Sequence, residues 1–130
     1  MTKTMPVQAL QRMLIRVEYD GTGLVGWQRQ DNGPSVQAIL EQAAEKLTTR
    51  PTPVHGSGRT DAGVHATGQA AHLDVPTHLT AIDVMRGLNA LLTTHQVSVV
   101  SARPVAAAFN ARFDAVQRSY LYRILARPAP

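Results

Sequence analysis

The 130-residue sequence contains no cysteine. Disulfides and thiolate metal sites are therefore excluded, and a reducing cytosol is compatible with the chain. No apolar run approaches the length of a membrane span. The first twelve residues carry Lys3 and Arg12 without an apolar block, so they do not read as a secretory signal. Tryptophan occurs once, as Trp27; packing is its leading role and base stacking the alternative. No internal repeat or low-complexity tract is present. Acidic residues are outnumbered, nine to thirteen basic, for a net charge of +4. That balance mildly favours polyanionic partners.

All but Lys3 and Lys46 of the basic residues are arginine, a side chain suited to phosphate and planar recognition. Arg103, Arg112, Arg118, Arg123 and Arg127 cluster towards the C-terminus with Asp114 as the only acid among them. A nucleic-acid-binding stripe and a merely solvated face explain this cluster equally well. The length suits one domain with a real core, and 44% hydrophobic residues are enough to fill it.

Met13, Ile15, Val17 and Tyr19 alternate with polar or outward positions and predict a strand. Val36, Ile39, Leu40, Ala43, Ala44 and Leu47 recur at helical spacing behind Ser35, a natural N-cap, and Pro51 and Pro53 end that helix. A short extended piece around Val54 follows. Ala71, Leu73 and Val75 mark another strand, stopped by Pro76. Thr80 and Asp83 form a capping-box pattern before a helix through Ile82, Met85, Leu88 and Leu92. Val97–Ala102 and Tyr120–Leu125 read as strands, and Phe109–Phe113 is ambiguous. The order predicts an α+β, ferredoxin-like (RRM-like) split βαβ domain, an antiparallel sheet with two helices on one face. Residues 1–12 are expected to be a flexible extension and residues 13–127 the folded domain.

Gly21-Thr22-Gly23-Leu24-Val25-Gly26 matches the dinucleotide fingerprint, but no helix is predicted at Gly26, and the mechanism needs a helix N-terminus there. His55, His65 and His72 lack ligand spacing, and without cysteine or a neighbouring acidic cluster no metal is expected. Nothing marks a nucleophilic serine. The informative stretch is Gly58-Arg59-Thr60-Asp61-Ala62-Gly63-Val64-His65-Ala66. Its glycines bracket an acid and an always-charged base, an arrangement able to hold a carboxylate in one pose. On residue types alone a surface turn explains it better.

The full nine-residue string resembles the signature loop of the TruA family of tRNA pseudouridine synthases, and it is highly specific. Other blocks resemble the family in order: Glu18-Tyr19-Asp20-Gly21, Gly26-Trp27-Gln28-Arg29-Gln30, Ser35-Val36-Gln37, Gly68-Gln69, Phe109-Asn110-Ala111-Arg112-Phe113 and Arg118-Ser119-Tyr120. The resemblance runs from about Met13 to about Ile124. It implies isomerisation of uridine to pseudouridine in the anticodon stem-loop of tRNA, with Asp61 as the nucleophile or key carboxylate. Attack on C6 of the base, attack on C1′ of the ribose and a glycal route all remain open. Arg59 would hold Asp61 ionised and fill the space left by a flipped nucleotide. Tyr120 would stack on uracil, Arg112 would contact RNA, and His65 would shape the loop or lie near substrate. Asn110 replaces the histidine more common in the family.

The resemblance further implies no cofactor, no metal, tRNA as partner, a homodimer for the full-length protein, and a cytoplasmic location. Family members are roughly twice this long, with the active site between two similar halves. The expectation is therefore an N-terminal fragment of impaired activity, its second domain absent. Two other readings stand beside it: an RRM-like RNA-binding module without chemistry, and a structural or dimerisation domain. Neither needs a carboxylate beside an arginine between two glycines.

Overall fold

A computed structural model of the chain describes residues 9–28, 33–58 and 66–111. Its elements follow in the order β1 (Leu10–Tyr19), α1 (Val36–Thr48), β2 (His55–Gly56), β3 (Ala66–Pro76), α2 (Ala81–Leu91) and β4 (Val97–Val105). The strands form one antiparallel sheet in the order β2-β3-β1-β4. This is the α+β, ferredoxin-like layout that the pattern of the sequence predicts. The expected strand at Tyr120–Leu125 lies outside the described residues.

Period-2 patterning gives the sheet two different faces. Met13, Ile15, Val17 and Tyr19 of β1 join Ala71, Leu73 and Val75 of β3 and Val97 and Val99 of β4 on one face. The two helices cover that face with Val36, Ile39, Leu40, Ala43 and Ala44 from α1 and Val84 and Leu88 from α2. Burying each large side chain stabilises the fold by roughly 1.5–3 kcal/mol. Both helix starts are capped as the sequence predicts. The Ser35 side chain accepts from the Ala38 amide at 3.1 Å, and Thr80 and Asp83 complete a reciprocal capping box.

β1 begins at Leu10, so Leu10, Gln11 and Arg12 belong to the sheet rather than to an extension ending at residue 12. Charge and polarity hid this end of the strand, because its partners are distant: Arg12 pairs in register with Asp74 and Val105. A register shift between Arg16 and Val17 leaves Val100 as an extra residue in β4, since Arg16 faces Ser101 and Val17 faces Val99. That bulge turns Val100 outward, 46% exposed.

Trp27 packs rather than waits for a base. It is 3% exposed and lies against β2, where a Cβ on Gly56 would come within 2.4 Å of its ring. Only glycine lets the edge strand approach this closely. Gly26 takes a φ of 106° and the next helix among the described residues starts at Val36, so no described helix N-terminus follows the glycine run directly.

Candidate active site

On the sequence, the key carboxylate is expected within residues 59–65, and the structure describes the chain on either side of them, to Gly58 and from Ala66. α1 prepares the approach to this loop. Gln37 donates to the Val54 carbonyl at 3.0 Å and Glu41 accepts from the Val54 amide at 3.0 Å. One helix turn thus fixes both backbone groups of the residue before β2. Beyond β2, the Ser57 amide donates to the Ala70 carbonyl at 2.8 Å.

Gln69 then bridges the two sides. Its Nε2 donates to the Gly58 carbonyl at 2.6 Å, and its Oε1 accepts from the Tyr19 hydroxyl at 2.7 Å. On the far side of the loop Ala66 opens β3, paired with Tyr19. The last residue before the loop and the first after it are therefore both referred to the end of β1. The segment after β1 is tied down as well. Gln96 donates to the carbonyls of Asp20 and Thr22, and Asp20 accepts from the Thr22 amide at 2.9 Å.

The sheet face away from the helices carries a second set of contacts. Arg12 makes a two-pronged pair with Asp74, Nε to Oδ1 at 2.9 Å and Nη2 to Oδ2 at 3.1 Å. Its third nitrogen donates to the Phe109 carbonyl at 2.6 Å. The Arg12 hydrogen bond is the main reason that the Asp74 carboxyl is held below its ordinary range. His72 is 4% exposed. Its ring stacks on His55 at 4.9 Å, meets Phe109 edge-on at 6.4 Å, and accepts the Ala111 amide at Nδ1, 3.0 Å away. Burial, with Arg12 and His55 adding repulsion, pushes His72 down to about 4.

This shift has a thermodynamic sign. The folded chain resists protonating His72, so between about pH 6.5 and about pH 4 the unfolded chain binds more protons. Stability is full above that window and falls as pH drops through it. The loss across this window is on the order of 1–3 kcal/mol. Urea unfolding at pH 7 and at pH 4.5 is expected to show it, and His72→Asn is expected to remove most of the difference. An equal loss in that variant would assign the effect to other groups.

Arg59, Asp61 and His65 lie in residues 59–65, and Arg112 and Tyr120 lie beyond residue 111, all outside the described residues. Sequence reasoning did not assign Gln69, Arg12 or His72 their parts. Gln69 was visible only as a member of a block, and the other two act through partners more than 35 positions away.

The four-stranded antiparallel sheet with its two helices defines an α+β domain of the ferredoxin-like class. Residues 15–114 match the family model described as tRNA pseudouridine synthase, and the chain belongs to that family. It is similar to proteins named tRNA pseudouridine synthase A. The relative from Rhodospirillum rubrum is 57% identical over 119 residues, 92% of this chain and 43% of its own length. That from Paramagnetospirillum magneticum is 54% identical over 121 residues, 93% and 47% respectively. That from Sinorhizobium medicae is 50% identical over 123 residues, 93% and 50%. The chain spans about half the length of the curated relatives it matches. Among the described residues, no helix is long and apolar enough to cross a membrane.

Proposed function

We propose that the protein isomerises uridine to pseudouridine in tRNA, with Asp61 as the essential carboxylate. The N1–C1′ bond breaks, the uracil turns, C5 bonds to C1′, the C5 proton leaves and N1 takes up a proton from solvent, so the product is an isomer of the substrate. Nothing is oxidised and no group is imported, so the proposal assigns neither cofactor nor metal. Arg59 keeps Asp61 ionised and fills the place of the extracted nucleotide. Tyr120 stacks on uracil and assists loss of the C5 proton. Arg112 contacts the RNA, and His65 lines the loop close to substrate. Residues 13–127 with the preceding β1 residues act as one half of a two-domain enzyme. The uridines belong to the anticodon stem-loop, and the complete protein works as a cytoplasmic homodimer.

One observation carries this reading. The family match spans the signature loop, and both stems of that loop are tied to β1, through Gln69 at Gly58 and through the pairing of Ala66 with Tyr19. A nucleophile needs such a fixed mount, because small displacements of a reacting group cost large factors in rate. The names of the relatives support tRNA as the substrate.

The test is tritium release from tRNA labelled at C5 of uridine, with the chain alone and with the chain joined to the C-terminal half of a relative. C5 loses its hydrogen only when C1′ takes its place. Release from the joined protein is expected, with little from the chain alone, since an open site leaves the carboxylate in water. RNA binding without release in either form would overturn the proposal in favour of a binding module.

A further inference from the structure

The chain after β4 does not simply leave the sheet. Phe109 is held by the Arg12 guanidinium at its carbonyl, and two residues later Ala111 gives its amide proton to His72. Arg12 stands opposite Asp74, whereas His72 stands opposite Leu14. From Phe109 to Ala111 the chain therefore advances across the helix-free face towards Gly68, at the end of the sheet where residues 59–65 depart. Phe109 also packs with Leu14 and Ala70, the small apolar cluster of that face. The next residue is Arg112.

We infer that His72 is a positioning residue whose unprotonated Nδ1 clamps the Ala111 amide and so fixes the point from which the chain continues into Arg112, the residue proposed to contact RNA. The inference rests on the proposed role of Arg112. Because Nδ1 accepts, the neutral ring carries its proton on Nε2. Protonating Nδ1 would set two donors against each other and release the clamp. Among the described residues, the charged and titratable groups around the ring are Arg12 from β1, His55 from β2 and Asp74 from β3, with Arg103 of β4 across β1 at the level of Leu14; residues 106–111 contribute none. Arg12 and His55 oppose a charge on His72 more than Asp74 favours it, and burial acts in the same direction. The clamp is thus closed throughout the neutral range, and acid serves as a probe of it.

The chain labelled with nitrogen-15 tests this without any assay of catalysis. Imidazole correlations at about pH 7 are expected to show His72 with Nε2 protonated. The Ala111 amide resonance is expected to shift in step with protonation of that ring. His72→Asn places Oδ1 where Nδ1 stood and does not titrate, so it should keep Ala111 protected from exchange within about threefold and abolish the pH step. His72→Leu should speed Ala111 exchange at least about tenfold, leave the β1 and β3 amides unchanged, and weaken tRNA binding about as much as Arg112→Ala does. An Ala111 amide indifferent to protonation, or unprotected in the Asn variant, would overturn the clamp, and the Asn variant decides even if the Leu variant fails to fold. Should Arg112→Ala bind tRNA like the parent while Ala111 behaves as expected, the clamp stands and the role given to Arg112 falls.

Discussion

Replacing Asp61 with asparagine is expected to reduce C5 tritium release by about four orders of magnitude or more, while tRNA affinity changes only a few-fold. The substitution keeps the size and much of the hydrogen-bonding capacity of the side chain. It removes the charge and the nucleophilic oxygen. If Asp61 forms the covalent bond or carries the charge that balances the transition state, no neighbour in the signature loop replaces it: the remaining residues between Gly58 and Gly63 are Arg59, Thr60 and Ala62. The comparison is made in whichever form of the protein releases tritium. A variant retaining a tenth of the parent rate would remove Asp61 from the chemistry and leave it as a loop residue. Unchanged affinity matters equally, since a joint loss of binding and release would point to a collapsed loop.

Leu73→Ala is expected to cost about 2–5 kcal/mol of stability. Leu73 has no exposed surface and sits on β3, opposite Met13 of β1, beneath the helix layer. Truncation leaves a void between the sheet and the helix layer that the hydrogen-bonded β1–β3 pair cannot collapse to fill. Against a total of roughly 5–15 kcal/mol for a domain of this kind, such a loss takes a large share of the native margin. β3 also carries Gln69 and His72, so the site frame loosens with it. Urea unfolding followed by circular dichroism measures the cost. Ile82→Ala, at a position 56% exposed, provides the surface control and is expected to stay within about 0.5 kcal/mol. Similar costs for the two would mean that the core is not organised around β3.

Much of the scaffold could be read locally. Ser35 and the Thr80/Asp83 pair announce helices because caps act over three residues, and the 3.6-residue stripe from Val36 to Leu47 has few competing explanations. The helix-covered face of β1 was equally plain from Met13 to Tyr19. What could not be read depends on contacts distant in sequence. Arg12 looks like part of a tail until Asp74 and Phe109 are beside it. His72 looks like an ordinary polar strand position until Ala111 folds back over it. β2 has only two residues and no period of its own; Gln37 and Glu41 of α1 fix its start. Of the candidate site, the Arg59–Asp61 loop was legible as a motif, whereas the tether from Gln69 to Gly58 and Tyr19 required the fold.

The tight fit of Trp27 on Gly56 gives the molecule a built-in optical gauge. The sole indole lies against the two-residue strand that leads into the signature loop, so its emission colour reports whether that edge is seated or lifted into water. Binding of RNA next to that edge can therefore be followed by light from the unlabelled chain, with no other tryptophan among its 130 residues to blur the signal.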